Sequence, residues 1–171
     1  VRKGSAPLDT ATGLAAIKAL AEGPALPSRP GGHVVPAEGA REAYVERVLS
    51  FVDMAALRPL TILVNAGNGA AGPTFDAIAE GLAARGAPLT FLRLHHEPDG
   101  SFPNGIPNPL LPENQPVTGQ AVVAAGADMG VAWDGDFDRC FLFDHAGRFI
   151  PGEYIVGLLA EVFLTKEPGA T

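Results

Sequence analysis

Asp134, Asp136 and Asp138 stand at alternate positions, separated by Gly135 and Phe137 and followed directly by Arg139. In an extended chain this spacing turns all three carboxylates to one side, and Gly135 lets the backbone curl them inward. Carboxylates held this close repel one another. A divalent cation or proton uptake has to relieve them, and an unrelieved cluster raises the pKa of at least one member. Oxygen-only ligands select a hard cation such as Mg2+. Arg139, beside the cluster, would pair with a phosphate drawn there by the metal. Without a metal the same residues read as a solvated acidic turn. Their position directly behind the apolar run Val131-Ala132-Trp133 favours the metal.

Two other acidic motifs fail on their own patterns. Counted from Asp134, an EF-hand needs Gly at position 6 and Glu at position 12, where this chain has Arg139 and His145. A haloacid-dehalogenase-type D-x-D pair resembles Asp134 and Asp136, but Asp138 takes the Thr/Val place, and the motif follows the third strand instead of the first. Gly67, Gly69 and Gly72 spell G-x-G-x-x-G, the fingerprint of a Rossmann dinucleotide module, with Glu97 placed to stand in for the ribose-binding acid. The same glycines equally suit a helix N-terminus packed tightly on a sheet. His95 and His96 are neighbours in a strand and point to opposite faces, a poor arrangement for one metal, so they read as packed at a domain edge. Trp133, Phe141 and Phe143 read as core. Cys140 reads as buried and inert, because the acidic loop offers no basic setting for a thiolate.

These side chains need elements to position them. Thr61-Ile62-Leu63-Val64 is a short β-branched run suited to a strand buried on both faces. The glycine turn follows, then a helix through Phe75, Ile78, Ala79 and Leu82 to Gly86, then a strand at Leu89–Leu94. Such a βαβ unit implies parallel pairing. From Pro98 to Pro116 the prolines exclude a long helix, and a loop of this length is expected to serve function or an interface. A helix near Thr118–Ala125 leads to a strand at Met129–Trp133. Cys140–Phe143 is a strand closed by the turn Asp144–Gly147. Upstream, Tyr44, Val45, Val48, Leu49 and Val52 mark a helix ended by Arg58-Pro59. Downstream, Ile155, Leu158, Leu159, Val162 and Phe163 mark the last helix. Leu14, Ile17, Leu20 and Ala21 mark a first helix, capped by Asp9 or Thr10. The run Pro27-Ser28-Arg29-Pro30-Gly31-Gly32 after it reads as a linker. The expected fold is α/β, a three-layer αβα domain with a small mixed, mainly parallel sheet. Residues 33–171 form it, and residues 1–32 are a tail and linker from a preceding domain.

Composition agrees with this outline. The 171 residues are 47% hydrophobic and 18% charged, enough for a core and too weakly charged for a disordered chain. A net charge of −7 argues against a broad nucleic-acid surface. The single cysteine allows neither an internal disulfide nor a cysteine zinc cage, and fits a reducing, cytoplasmic setting. Val1 with no signal-peptide pattern after it suggests a cut within a longer protein.

Four segments in order carry a family resemblance: Asn65-Ala-Gly-Asn-Gly-Ala-Ala-Gly72, His96-Glu-Pro-Asp-Gly-Ser-Phe-Pro-Asn104, Pro107-Asn-Pro-Leu-Leu-Pro-Glu113 and Asp134-Gly-Asp-Phe-Asp-Arg139. Together they resemble the second domain of the α-D-phosphohexomutases, and the stretch Trp133–Phe143 is closest to the bacterial phosphomannomutase branch. The match runs over nearly the whole chain, with Thr12-Gly13-Leu14 similar to the end of the family's first domain and Pro168-Gly-Ala-Thr171 to the lead-in to its third.

The resemblance implies a four-domain enzyme that interconverts mannose 6-phosphate and mannose 1-phosphate through a bisphosphate, using a phosphoserine of the first domain. It implies Mg2+ on Asp134, Asp136 and Asp138, with Arg139 near the phosphoryl group. Partners would be the hexose phosphate and the flanking first and third domains, with no nucleic acid and no membrane. No T-x-S-H-N-P-like serine loop, G-E-M-S/T-G-H-type segment or R-x-S-G-T loop occurs in these residues. The nucleophilic serine is therefore expected elsewhere, and the chain alone is expected to be inactive. Asn65-Ala66 departs mildly from the family's usual Asp/Asn-Cys or Asn-Ser. Three other readings stay open: a phosphoglucomutase or other phosphohexomutase of this family, a dinucleotide-binding Rossmann module, and a non-catalytic acidic interaction domain.

Overall fold

Alternating apolar side chains organise the centre of the molecule. The computed structural model describes residues 2–25, 27–28 and 30–169. In chain order its helices and strands are α1 (Ala15–Glu22), α2 (Ala40–Leu49), β1 (Leu60–Asn65), α3 (Ala71–Ala84), β2 (Leu89–Leu94), α4 (Gln115–Ala125), β3 (Met129–Trp133), β4 (Cys140–Asp144), β5 (Phe149–Ile150) and α5 (Gly152–Lys166). The strands form one mixed sheet in the order β2-β1-β3-β4-β5. β1 lies parallel to both β2 and β3, and β4 and β5 extend the sheet antiparallel.

Successive residues of β1 face opposite layers. Leu63 packs with Val122, Ala127, Ala132 and Phe143 beneath α4. Ile62 and Val64 face the other way, onto Phe75 and Ala79 of α3. α2 covers α3 from outside through Val45 and Leu49 against Leu82. This is the three-layer α/β arrangement expected, with the βαβ crossover parallel.

Three local boundaries differ from expectation. α2 stops at Leu49, well short of Arg58-Pro59, and Asp53 caps a separate 3-10 turn at Met54–Ala56 through the Ala55 amide at 3.0 Å. α4 starts at Gln115, because Pro116 falls in its first turn, where its missing N–H leaves no bond unmade. β5 was not anticipated: between the Asp144–Gly147 turn and Pro151 only Phe149 and Ile150 pair with β4. Upstream, Asp9 is the cap, accepting from the Thr12 amide at 2.7 Å while the Thr12 hydroxyl accepts from the Asp9 amide.

The chain divides into two compact units, Val1–Ala37 and Glu38–Thr171. The division lies beyond the expected residue 32 because 33–37 makes no element, and Val34 is 96% exposed. Val1, Leu26, the linker's Arg29, and Ala170 and Thr171 lie outside the described residues. α5 carries the apolar residues expected of it but buries none, leaving Tyr154, Val156, Leu158 and Phe163 exposed. Among the described residues no helix is long and apolar enough to cross a membrane.

Candidate metal centre

β1 has β2 on one side and β3 on the other, so the strand order reverses at the C-terminal ends of β1 and β3. Open α/β sheets form their binding crevice at this point, where two adjacent strand ends lead into loops that part to opposite sides. The glycine turn leaves β1 here and the acidic loop leaves β3 beside it.

The glycine turn is held by neutral groups. Buried Asn65 donates from Nδ2 to Thr118 Oγ1 at 2.9 Å and accepts the Gly67 amide on Oδ1 at 2.9 Å. Asn68 adopts a left-handed conformation with φ 59°, which asparagine tolerates better than most residues. Its amide donates to the His95 carbonyl at 2.7 Å, and its carbonyl accepts the Asp99 amide at 2.8 Å. Its side chain donates to the Glu97 carbonyl at 2.9 Å and accepts from Asn104 at 2.8 Å. The loop after β2 is thus tied down onto the turn.

The three glycines of the fingerprint are covered by the chain itself. A Cβ at Gly67 would strike the Pro107 ring, one at Gly72 the His96 carbonyl, and one at Gly69 would come 2.6 Å from the Gly135 carbonyl oxygen. This corrects the dinucleotide reading of Gly67, Gly69, Gly72 and Glu97. The Pro107 ring and the backbone of His96 and Gly135 lie against the three glycines, and exposed Glu97 is engaged through its carbonyl.

The acidic loop is held by charge. Its Asp134–Phe137 segment is a turn, closed by the Phe137 amide on the Asp134 carbonyl at 3.2 Å, not the extended strand assumed from the spacing. The left-handed residue is Phe137, φ 66°, rather than Gly135, and its ring packs edge-on against Trp133 at 5.4 Å. Gly135 serves close approach instead: its carbonyl accepts the Ala70 amide at 3.0 Å, joining the two turns.

Asp134 is 1% exposed, whereas Asp136 and Asp138 are exposed. One oxygen from each of the three lies within 4.8 Å of the others. Arg139 takes both oxygens of Asp134. Its amide donates to Oδ1 at 3.0 Å and its Nε to Oδ2 at 2.6 Å. Nη2 also pairs with Oδ2, and Nε reaches Asp138 Oδ1 at 3.4 Å. Burial pushes the Asp134 carboxyl up, but the Arg139 amide, hydrogen bond and charge outweigh it and hold the group below its ordinary value. The upward shift expected of at least one member does not fall on Asp134, because the Arg139 cation is already on its carboxylate. The Arg139 guanidinium is raised in turn, chiefly by its hydrogen bond to Asp134.

The remaining candidates are structural. His96 meets Asp76 of α3 at 2.9 Å through Nε2, and Arg93 pairs with the same carboxylate at 2.8 Å. His95 lies across from it with φ 44°, lining a cavity of about 40 Å³ with Asn65, Asn108, Thr118 and Trp133. Both histidines lie beyond the end of β2 at Leu94, so the strand alternation expected to part them does not apply. Trp133 packs on Phe75 and Phe143 is fully buried. Cys140 is exposed, a correction to the buried placement expected, yet desolvation still raises its thiol, with Trp133 pulling weakly the other way. Sequence reasoning missed Asn65, Asn68, Thr118 and Asn104. Asn65, Asn68 and Asn104 stand within the segments that carry the family resemblance, but their pairing was not legible, because the partners lie far apart in the chain.

Three carboxylates gathered at a switch point, two of them paired with Arg139, are the donor set that a hard divalent metal takes. Residues 42–147 match the family model described as phosphoglucomutase/phosphomannomutase, alpha/beta/alpha domain II. The chain is 52% identical to a phosphomannomutase of Salmonella montevideo over 99% of its own length and 38% of that relative's. It is 52% identical to "phosphohexose mutases" of Xanthomonas campestris pv. campestris, spanning 37% of that protein. A phosphoglucomutase/phosphomannomutase family protein from Burkholderia thailandensis has a similar structure, with TM-score 0.67 and 35% identity over 76% of this chain and 27% of that one. The chain belongs to the phosphoglucomutase/phosphomannomutase family and carries its second α/β/α domain.

Proposed function

We propose that this chain is the metal-binding part of a phosphomannomutase that interconverts mannose 6-phosphate and mannose 1-phosphate through a bisphosphate. The observation that carries the reading is the convergence of Asp134, Asp136 and Asp138 at the switch point of a domain of this family. Mg2+, when held there, supplies positive charge against the transferring phosphoryl group, in a reaction where positioning and electrostatics dominate. Asp134 holds its carboxylate in a fixed, buried place, and Asp136 and Asp138 complete the set from the solvent side. Arg139 positions a phosphoryl oxygen pair. The glycine turn keeps the loop in place through the Ala70–Gly135 bond. The nucleophilic serine is supplied by another domain, and the exposed apolar residues of α5 are covered by neighbouring domains of the whole enzyme. A cytoplasmic location suits the lone cysteine. A second reading, a phosphohexomutase of broader sugar range, is favoured by the name of the Xanthomonas relative.

In a coupled assay this chain alone shows no conversion of mannose 1-phosphate to the 6-phosphate. Conversion that disappears in Asp136→Ala would overturn the placement of the serine elsewhere. Millimolar Mg2+ raises the melting temperature slightly, by mass action on the folded state, and Asp136→Asn removes the rise. A rise that survives Asp136→Asn rejects the metal assignment and favours an acidic interaction domain. We also assign residues 1–32 to the tail of a preceding domain and its linker. Limited proteolysis then cuts first between Pro24 and His33, and an early cut within Leu60–Leu94 would displace that boundary.

A further inference from the structure

The Arg139 side chain has two places to be useful, and the structure shows only one of them. Its guanidinium is on Asp134 Oδ2, through Nε at 2.6 Å and through Nη2, while its amide holds Oδ1 at 3.0 Å. Nearly all the hydrogen-bonding capacity of this buried carboxylate is thus directed at one residue. Oδ2 is the oxygen bound by a movable side chain, and Oδ1 is the one bound by backbone. A metal that takes Oδ2 meets a cation already there, and two cations do not share one carboxylate oxygen in a site this small without strong repulsion. The guanidinium is free to leave, since it is half exposed and, among the described residues, its one other carboxylate contact is Asp138 Oδ1 at 3.4 Å, itself within the same cluster.

Resting on the metal reading above, we propose that Arg139 is a built-in counter-cation that Mg2+ displaces from Asp134. In the metal-free chain the guanidinium balances the cluster and keeps Asp134 in place. Metal binding ejects it from Oδ2 while the amide bond to Oδ1 holds the carboxylate where it was. The released fork stands beside the metal, where two parallel N–H groups suit a pair of phosphoryl oxygens. Metal arrival and availability of the arginine are therefore one event, and the metal-free chain keeps its anion-binding side chain occupied. By reciprocity, removing the guanidinium must strengthen metal binding.

The test is a Mg2+ titration of this chain, read by nitrogen-edited NMR of the arginine Nε–H groups and by calorimetry. In the wild-type chain the Arg139 Nε–H signal moves and its exchange with water speeds up as Mg2+ binds, while the Arg139 amide remains protected. Arg139→Met binds Mg2+ about 3- to 10-fold more tightly, the range set by a charge-assisted hydrogen bond discounted for exposure. Arg139→Lys falls between the two. Mg2+ binding that leaves the Nε–H signal unmoved overturns the proposal, as does unchanged or weaker binding by a folded Arg139→Met. If Arg139→Met does not fold, the wild-type NMR titration decides alone. Absence of any Mg2+ response, in heat or in the amides of Asp134–Asp138, rejects the metal reading itself and this proposal with it.

Discussion

The glycine turn after β1 and the acidic loop after β3 lie side by side at the same edge of the sheet, joined by the Ala70–Gly135 bond, yet they are stabilised by opposite means. In the first, every strained or polar feature is answered by a neutral group: Asn65 by Thr118 and the Gly67 amide, Asn68 by Asn104 and three backbone groups. In the second, Asp134 and Asp138 share one guanidinium, and Asp136 and Asp138 stay in water. A turn whose polar groups are met by neighbouring neutral groups has little left to offer a ligand. A loop with more negative charge than its arginine can balance still does. On the proposed function the neutral turn is scaffold and the charged loop is the site, although both contain the residue types that sequence motifs associate with phosphate chemistry.

Substitutions can be chosen to break that division. The largest effect is expected from Gly69→Val, which drives a branched side chain into the Gly135 backbone, where neither side can give way. Urea denaturation should show a loss of about 3 kcal/mol, together with loss of the Mg2+ response. Retained Mg2+ binding in a folded variant would mean that the loop does not depend on the turn.

Asp134→Asn comes next. It keeps the shape but removes the charge that Arg139 satisfies, and is expected to cost about 1–2 kcal/mol after allowance for the exposed side of the pair. The pH dependence has the same origin. Asp134 has a lower pKa folded than unfolded, so its contribution is present above the unfolded value and is lost as pH falls through the folded one. Acid unfolding followed by circular dichroism should show a shallower acid limb in Asp134→Asn than in the parent chain.

The smallest effect is expected at Asp136. Without metal, Asp136→Asn removes an exposed repelling charge and should raise the melting temperature marginally. Lower stability in the metal-free chain would make Asp136 part of the scaffold and blur the contrast between the two turns.

Much of this division was legible in advance. The β-branched run at residues 61–64 and the apolar run at 131–133 marked buried strands, because strand burial depends on local side-chain type. Asp134, Asp136 and Asp138 were legible as a group because their closeness in space follows from their closeness in sequence. The position of the left-handed residue was not. Gly135 was the natural candidate, but the Trp133 ring supports Phe137 in that conformation, a contact that depends on how the loop folds back over its own strand.

The amino-acid sequence by itself determined which chain segments form the sheet, which residues carry negative charge, and that the charge falls directly behind a buried strand. Each follows from interactions within a few residues. Tertiary structure alone decided the meaning of the glycines and the state of Asp134. Gly67, Gly69 and Gly72 are small because Pro107, Gly135 and His96 come from distant parts of the chain to lie on them. Asp134 is shifted down rather than up because Arg139 outweighs the burial that would raise it. A pKa reflects the balance of desolvation and charge at one point in space, which spacing along the chain does not specify.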